Sequence, residues 1–127
     1  VTARDRATRE RNRGQATVEL ALCLPLLCLL LLGVLQVGVV VRDQLAVQLA
    51  AREAARAASV AADPIAAGTA AALAAAALRP LSVTIVVTGS DVTASVSYRS
   101  ITDIGLIGPL VADITVTASA TMQLEPP

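Results

Sequence analysis

Few side chains in this sequence are equipped for chemistry, and Glu19 is the one whose charge is hardest to place. It stands immediately before LALCLPLLCLLLLGVLQVGVVV, residues 20–41, a run without a single charge. A carboxylate in hydrocarbon is costly unless it is neutralised, paired or kept near the headgroups. Glu19 is therefore either an interfacial flank or a group with a purpose. The other chemical options are thin. The chain has no histidine, and its two cysteines, Cys23 and Cys28, both fall inside the apolar run. Their spacing of five puts them on different faces of a helix, against an intrahelical disulfide. Asp91, Asp103 and Asp113 fall in or next to turn signals and read as solvated. No metal site, no catalytic triad and no cofactor site can be assembled from this inventory, which excludes an enzyme and a small-molecule substrate.

The elements that position Glu19 begin with a basic leader. Residues 1–14 carry Arg4, Arg6, Arg9, Arg11 and Arg13 against Asp5 and Glu10, while the remainder is slightly acidic. A helix over residues 20–41 would be about 33 Å long, close to a hydrocarbon core of ~30 Å. Positive charge beside such a span orients it with the leader in the cytoplasm and the chain from Arg42 outside. A nucleic-acid arm explains the charge less well, and one tyrosine with no Phe or Trp gives no platform for stacking bases. A cleaved secretory signal also fits less well. The run exceeds the usual h-region of roughly 7–15 residues, SVAADP is a poor cleavage context, and helical periodicity continues past Arg42. Within the span, Pro25 predicts a modest kink or local unwinding. Gly33 and Gly38 are five apart and so form no small-xxx-small motif, yet each leaves room for another helix. Gln36, the one polar residue deep in the run, is expected to bond to its own turn or to a neighbouring helix.

Beyond the span, RDQLAVQLAAREAARAASVAAD has strong helix formers and neither Gly nor Pro. A long helix over 15–62 is expected, ending near Asp63-Pro64. Leu45 and Leu49 stack at i,i+4 beside a stripe of Ala46, Ala50 and Ala54, a face suited to bundling with other chains. Glu53 is placed to pair with Arg56. A short helix at 65–78 follows, weakened near its start by Gly68 and stopped by Pro80. The period then changes from 3.6 to 2. Strands are expected near 82–88, 92–98 and 113–124, the first two joined by a Gly89-Ser90-Asp91 turn. A Gly- and Pro-punctuated loop (99–111) precedes the third. Tyr98 reads as a sheet-edge or core-lid residue. The fold class is α+β: a long N-terminal transmembrane helix extending outside the membrane, a short helix, and a small antiparallel three-stranded sheet in an extracytoplasmic domain (63–127). The sheet's one apolar face needs a helix of this chain as its cover.

A basic leader, Gly14, four residues, Glu19 and a long apolar helix together resemble a type IV-like prepilin. Arg13-Gly14-Gln15-Ala16-Thr17-Val18-Glu19, the apolar run with Pro25, the Ala-Arg continuation around Arg52 and Arg56, and the terminal ASATMQLE (118–125) are similar to the TadE-like family, minor pilin or pseudopilin-type proteins of tight-adherence (Flp) pilus assembly. The resemblance implies cleavage between Gly14 and Gln15 by a membrane aspartyl prepilin peptidase, with glycine leaving the protease cleft unobstructed. It also implies that Glu19, the fifth residue of the mature chain, pairs with the new α-amino group of Gln15 or of a neighbouring subunit and so sets assembly register. The implied partners are the prepilin peptidase, other pilins or pseudopilins, a membrane assembly platform and the lipid bilayer. The implied location is the bacterial cell membrane, with possible incorporation in a pilus.

Two alternatives remain at this level. A generic single-pass envelope protein would keep its leader and bind another envelope component. Arg52 and Arg56, one helical turn apart, are either contacts for a partner's acidic surface or solvated side chains whose stems cover alanine.

Overall fold

The computed structural model describes residues 3–101 and 113–125, with side chains from Gly14 onward. Its elements are α1 (Ala3–Val60), α2 (Pro64–Ala75), β1 (Leu81–Thr88), β2 (Asp91–Ser100) and β3 (Ile114–Gln123). This is the expected α+β class. The strands form one antiparallel sheet in the order β1-β2-β3. Residues 1–35 and 36–127 form two separate compact units.

In the first unit, α1 from residue 20 on is uncharged and almost entirely exposed. The described part of the basic leader, from Ala3, is helical and continuous with the rest of α1. Pro25 lies inside the helix with helical residues on both sides. Residues 14–60 include an 18-residue window long and apolar enough to cross a membrane, with 6% of it buried.

The second unit is built on the outer part of α1. Its buried stripe, Val47, Ala50, Ala51, Ala54, Ala55 and Ala58, recurs at helical spacing. Leu45 and Leu49 face outward, 61% and 50% exposed. This reverses the use expected for the alanines. They are covered by the chain's own α2 and sheet, in one core with Ala72, Ala76, Ala94, Val96 and Val116. The short side chains let backbones approach. Val96 lies in that same core, and Val92 on the same strand is likewise fully buried, each burial contributing roughly 1.5–3 kcal/mol.

Strand alternation behaves as the period-2 pattern requires. On β3, Val116 is buried and Ala118, Ala120 and Met122 are half-buried, while Thr115, Thr117, Ser119 and Thr121 are exposed. Gly89 and Ser90 join β1 to β2, and Gly89 has φ +61°. A two-residue hairpin with positive φ at its first position alone is the type II′ turn, which selects glycine there. Tyr98 lies on the central strand, opposite Leu81 and Val116, and packs on the core rather than at a sheet edge. The loop expected over 99–111 lies outside the described residues beyond position 101, and Asp103 with it. Asp113 is exposed, as expected, and makes an ion pair with Arg99 at 2.9 Å.

α2 starts where the sequence indicates, because Asp63 Oδ1 accepts from Ala66 N at 3.1 Å and Pro64 occupies the first turn. It stops three residues before the expected 78. Ala76 is already extended, and the Arg79 guanidinium donates to the carbonyls of Leu73, Ala76 and Leu78, satisfying groups a longer helix would have used. Gly68 does more than weaken this helix. A Cβ there would stand 2.9 Å from Ile85 Cδ1, 3.1 Å from the Ala54 carbonyl oxygen and 3.2 Å from Ala58 Cβ. Glycine is what lets α2 lie against α1 and β1 together.

The consequence is measurable. Gly68→Val should lower the stability of the detergent-solubilised chain by about 1–3 kcal/mol. Val at the exposed neighbour Ala70 should change it by less than about 0.5 kcal/mol. Urea midpoints followed by circular dichroism compare the two, and equal midpoints would remove the close-approach account.

Candidate functional site

The segment Gly14–Glu19 lies on α1 within the first unit. Gly14 is exposed, and a Cβ placed on it would meet nothing within 4 Å. Packing inside the chain therefore gives no reason for glycine here. Inside a helix it costs roughly 0.5–1 kcal/mol relative to alanine, so Gly14 is a point at which α1 opens more readily. On the next residue, Gln15 Nε2 donates to Glu19 Oε1, four positions further along the helix, at 3.2 Å. The contact follows from helix geometry, since side chains at i and i+4 share a face and lean toward the N-terminus. Glu19 thus has a neutral partner on the residue four before it, at the edge of the apolar run.

The sequence-derived packing positions divide between the units. Gly33, in the first, and Gly38, in the second, both have open space where a side chain would be. Gln36, treated above as a residue of the membrane span, is 8% exposed and belongs to the folded domain. Arg52 and Arg56 are both exposed, and among the described residues neither has a carboxylate partner. The expected Glu53–Arg56 pair does not form, because both side chains extend into solvent where a lone pair gains little. Arg52 lines a groove of about 320 Å³ between α1 and β3, together with Gln44, Gln48, Thr117, Ala118, Ser119 and Ala120. Among the described residues, no group of three or more His, Cys, Asp or Glu side chains converges on a metal-sized site. Cys23 and Cys28 are free and exposed.

Sequence reading missed Asp43. Its side chain is 5% exposed and accepts a hydrogen bond from Ser100 Oγ at 2.7 Å, with Ser100 itself 1% exposed. Two further ties join α1 to the sheet. Gln44 Nε2 donates to the Thr117 carbonyl at 3.2 Å, and Glu125 N donates to the Ser59 carbonyl at 2.9 Å. A signal for Asp43 existed. It falls seven after Gln36 and four before Val47, on the same helical face as the alanine stripe, where a charge must have a partner.

Residues 14–56 match the family model described as TadE-like protein. The match opens at Gly14, takes in Glu19 and the whole apolar run, and closes at Arg56. No curated protein and no solved structure matches the chain.

The Asp43–Ser100 bond is open to a double-mutant cycle. Ser100→Ala and Asp43→Ala should each cost about 1–3 kcal/mol, because each leaves a buried polar atom without its partner. The double variant should fall short of their sum by at least ~0.5 kcal/mol. Strict additivity in urea unfolding would show that the two side chains do not act as a pair.

Proposed function

From the match of residues 14–56 to the TadE-like family model, we propose that this chain is a membrane-anchored, pilin-like component of tight-adherence pilus assembly, processed between Gly14 and Gln15. A membrane-associated structural role is supported by that match together with the one helix, among the described residues, that is long and apolar enough to cross a membrane. The finer reading rests on one observation above all, the Gln15–Glu19 contact that starts immediately after an unpacked glycine.

A prepilin peptidase needs its substrate extended, whereas α1 is helical from Ala3. Gly14 lowers the cost of opening the helix where the cut is made. Cleavage would leave Gln15 with a free α-amino group on the face toward which Glu19 already leans. A neutral amide partner would then be joined or replaced by a positive one, at the end of a helix whose dipole also favours a negative side chain. The charge of Glu19 becomes tolerable beside hydrocarbon only when that partner, its own or a neighbouring subunit's, is present. This makes Glu19 a register mark: a subunit displaced along its neighbours leaves the carboxylate unpaired. The arginine-rich leader stays on the cytoplasmic side, the domain carrying the sheet lies outside, and the partners are other pilin-type subunits and the membrane assembly platform. Gly33, Gly38 and the outward-facing Leu45 and Leu49 are the positions open to neighbouring helices, and Pro25 is a candidate hinge.

Intact mass of the membrane-extracted protein, with and without an active prepilin peptidase, tests the processing step. Loss of residues 1–14 only with the active peptidase supports it. A leader retained while a known substrate is cut would refute it and leave an anchored envelope protein. Gly14→Ala should slow cleavage roughly fivefold from the helix term alone, about 1 kcal/mol. Glu19→Ala should be cut normally yet fail to assemble. Normal assembly of that variant would reduce Glu19 to an interfacial residue.

A further inference from the structure

We propose that the folded domain is itself a membrane-contact surface: the end at which α1 enters it sits in the headgroup layer of the bilayer, held there by Ile101 and Ile114. The inference rests on the membrane-anchored reading above and goes beyond it, because that reading places only α1 in lipid.

The domain takes hold of α1 while the chain is still within its uncharged run. Gln36 is buried and belongs to the second unit, and Val40 packs against that unit's core. Asp43 and Ser100 follow, buried and bonded to each other. An open sheet with its edges does not occur in hydrocarbon, so the hydrocarbon must end near Leu35. About 20 helical residues before that point already cross a core of ~30 Å. Residues 36–41, apolar as they are, then lie in the layer above it.

The direction of β3 brings two exposed isoleucines to the same level. Gln44 Nε2 donates to the Thr117 carbonyl and Glu125 N to the Ser59 carbonyl, so β3 runs along α1 in the same sense, away from the span. Ile114 precedes Thr117 by three residues, about 10 Å back along the strand. An equal distance on α1 leads back from Gln44 to about residue 37. Ile101 directly follows Ser100, which pairs with Ile114 in the sheet and bonds to Asp43 in the core. Ile101 and Ile114 are exposed, and so are Val37, Val39 and Val41 at that level of α1. The charges here suit headgroups better than hydrocarbon. Arg42 and Arg99 are exposed, and Arg99 holds Asp113 at 2.9 Å. Each arginine can lay its stem on apolar surface while its head meets phosphate. Val60 is exposed as well, but it stands about 37 Å further along α1 than Leu35, out of reach of lipid.

The chain has no tryptophan, so a single introduced one reports alone. Variants of the full chain are reconstituted in phosphatidylcholine vesicles, with or without bromine on the acyl chains near the headgroup. Bromine should lower the emission of Ile101→Trp at least roughly twofold and leave that of Val60→Trp unchanged. Ile114→Trp takes the place of Ile101→Trp if the latter does not fold. Bromine near the chain ends reads the span itself through Leu22→Trp and Leu31→Trp. A boundary at Leu35 makes Leu22→Trp the more strongly quenched, because the midplane then falls near Pro25 rather than near Leu30. Quenching within the span but none at Ile101 would overturn the proposal and leave the anchored reading standing. Stronger quenching of Leu31→Trp than of Leu22→Trp would also overturn it, by moving the boundary past Leu35. Quenching of neither would remove the anchored reading and this inference with it.

Discussion

The constraint on which the folded domain depends is the size of the side chains along one face of α1. Alanine at 50, 51, 54, 55 and 58 leaves almost no bulk between the helix backbone and whatever covers it. The sheet and α2 can therefore come close, and they must, because alanine contributes little area unless its neighbours press against it. Gly68 is the clearest consequence. Its missing Cβ is the space in which Ile85, the Ala54 carbonyl and Ala58 meet. A core of this kind has few large residues to lose and little slack to absorb a larger one.

Apolar contact of this sort is poor at fixing a register, since one alanine resembles the next. Polar ties along α1 supply what the stripe lacks. Asp43 with Ser100, Gln44 with Thr117, and the Ser59 carbonyl with Glu125 N join α1 to the sheet at separated points. The first is buried and so the most demanding, because sliding α1 by a turn would leave a carboxylate unpaired in the core. The hydrogen bond from Glu125 also anchors the chain just past β3 against the C-terminal end of α1.

The same helix contributes to two environments. In the first unit its apolar residues are exposed, as suits a segment whose neighbours are lipid or other helices. In the second unit one face is committed to the domain while Leu45 and Leu49 remain outside. Along residues 36–60, the surface open to other chains is thus the leucine face with its adjoining arginines, and the alanine face is already occupied.

The sequence by itself determined what local physics controls. Twenty-two uncharged residues demand an apolar environment, Asp63-Pro64 ends one helix and caps the next, Gly89-Ser90 closes a hairpin, and alternation along β3 selects its buried face. The spacing of Gly14 and Glu19 was legible too, because both lie on one helix whose geometry is local. Tertiary structure alone decided which partner each face received. Periodicity shows that a helix has two sides, but the leucine side is the more apolar, and only the shape of the approaching sheet explains why the alanine side is buried. Asp43 looks like a solvated residue beside Arg42 until Ser100, 57 positions away, closes on it. Likewise Arg52 is one more exposed arginine until β3 lies alongside. These assignments depend on contacts between residues far apart in sequence, and no local pattern encodes which distant strand will arrive.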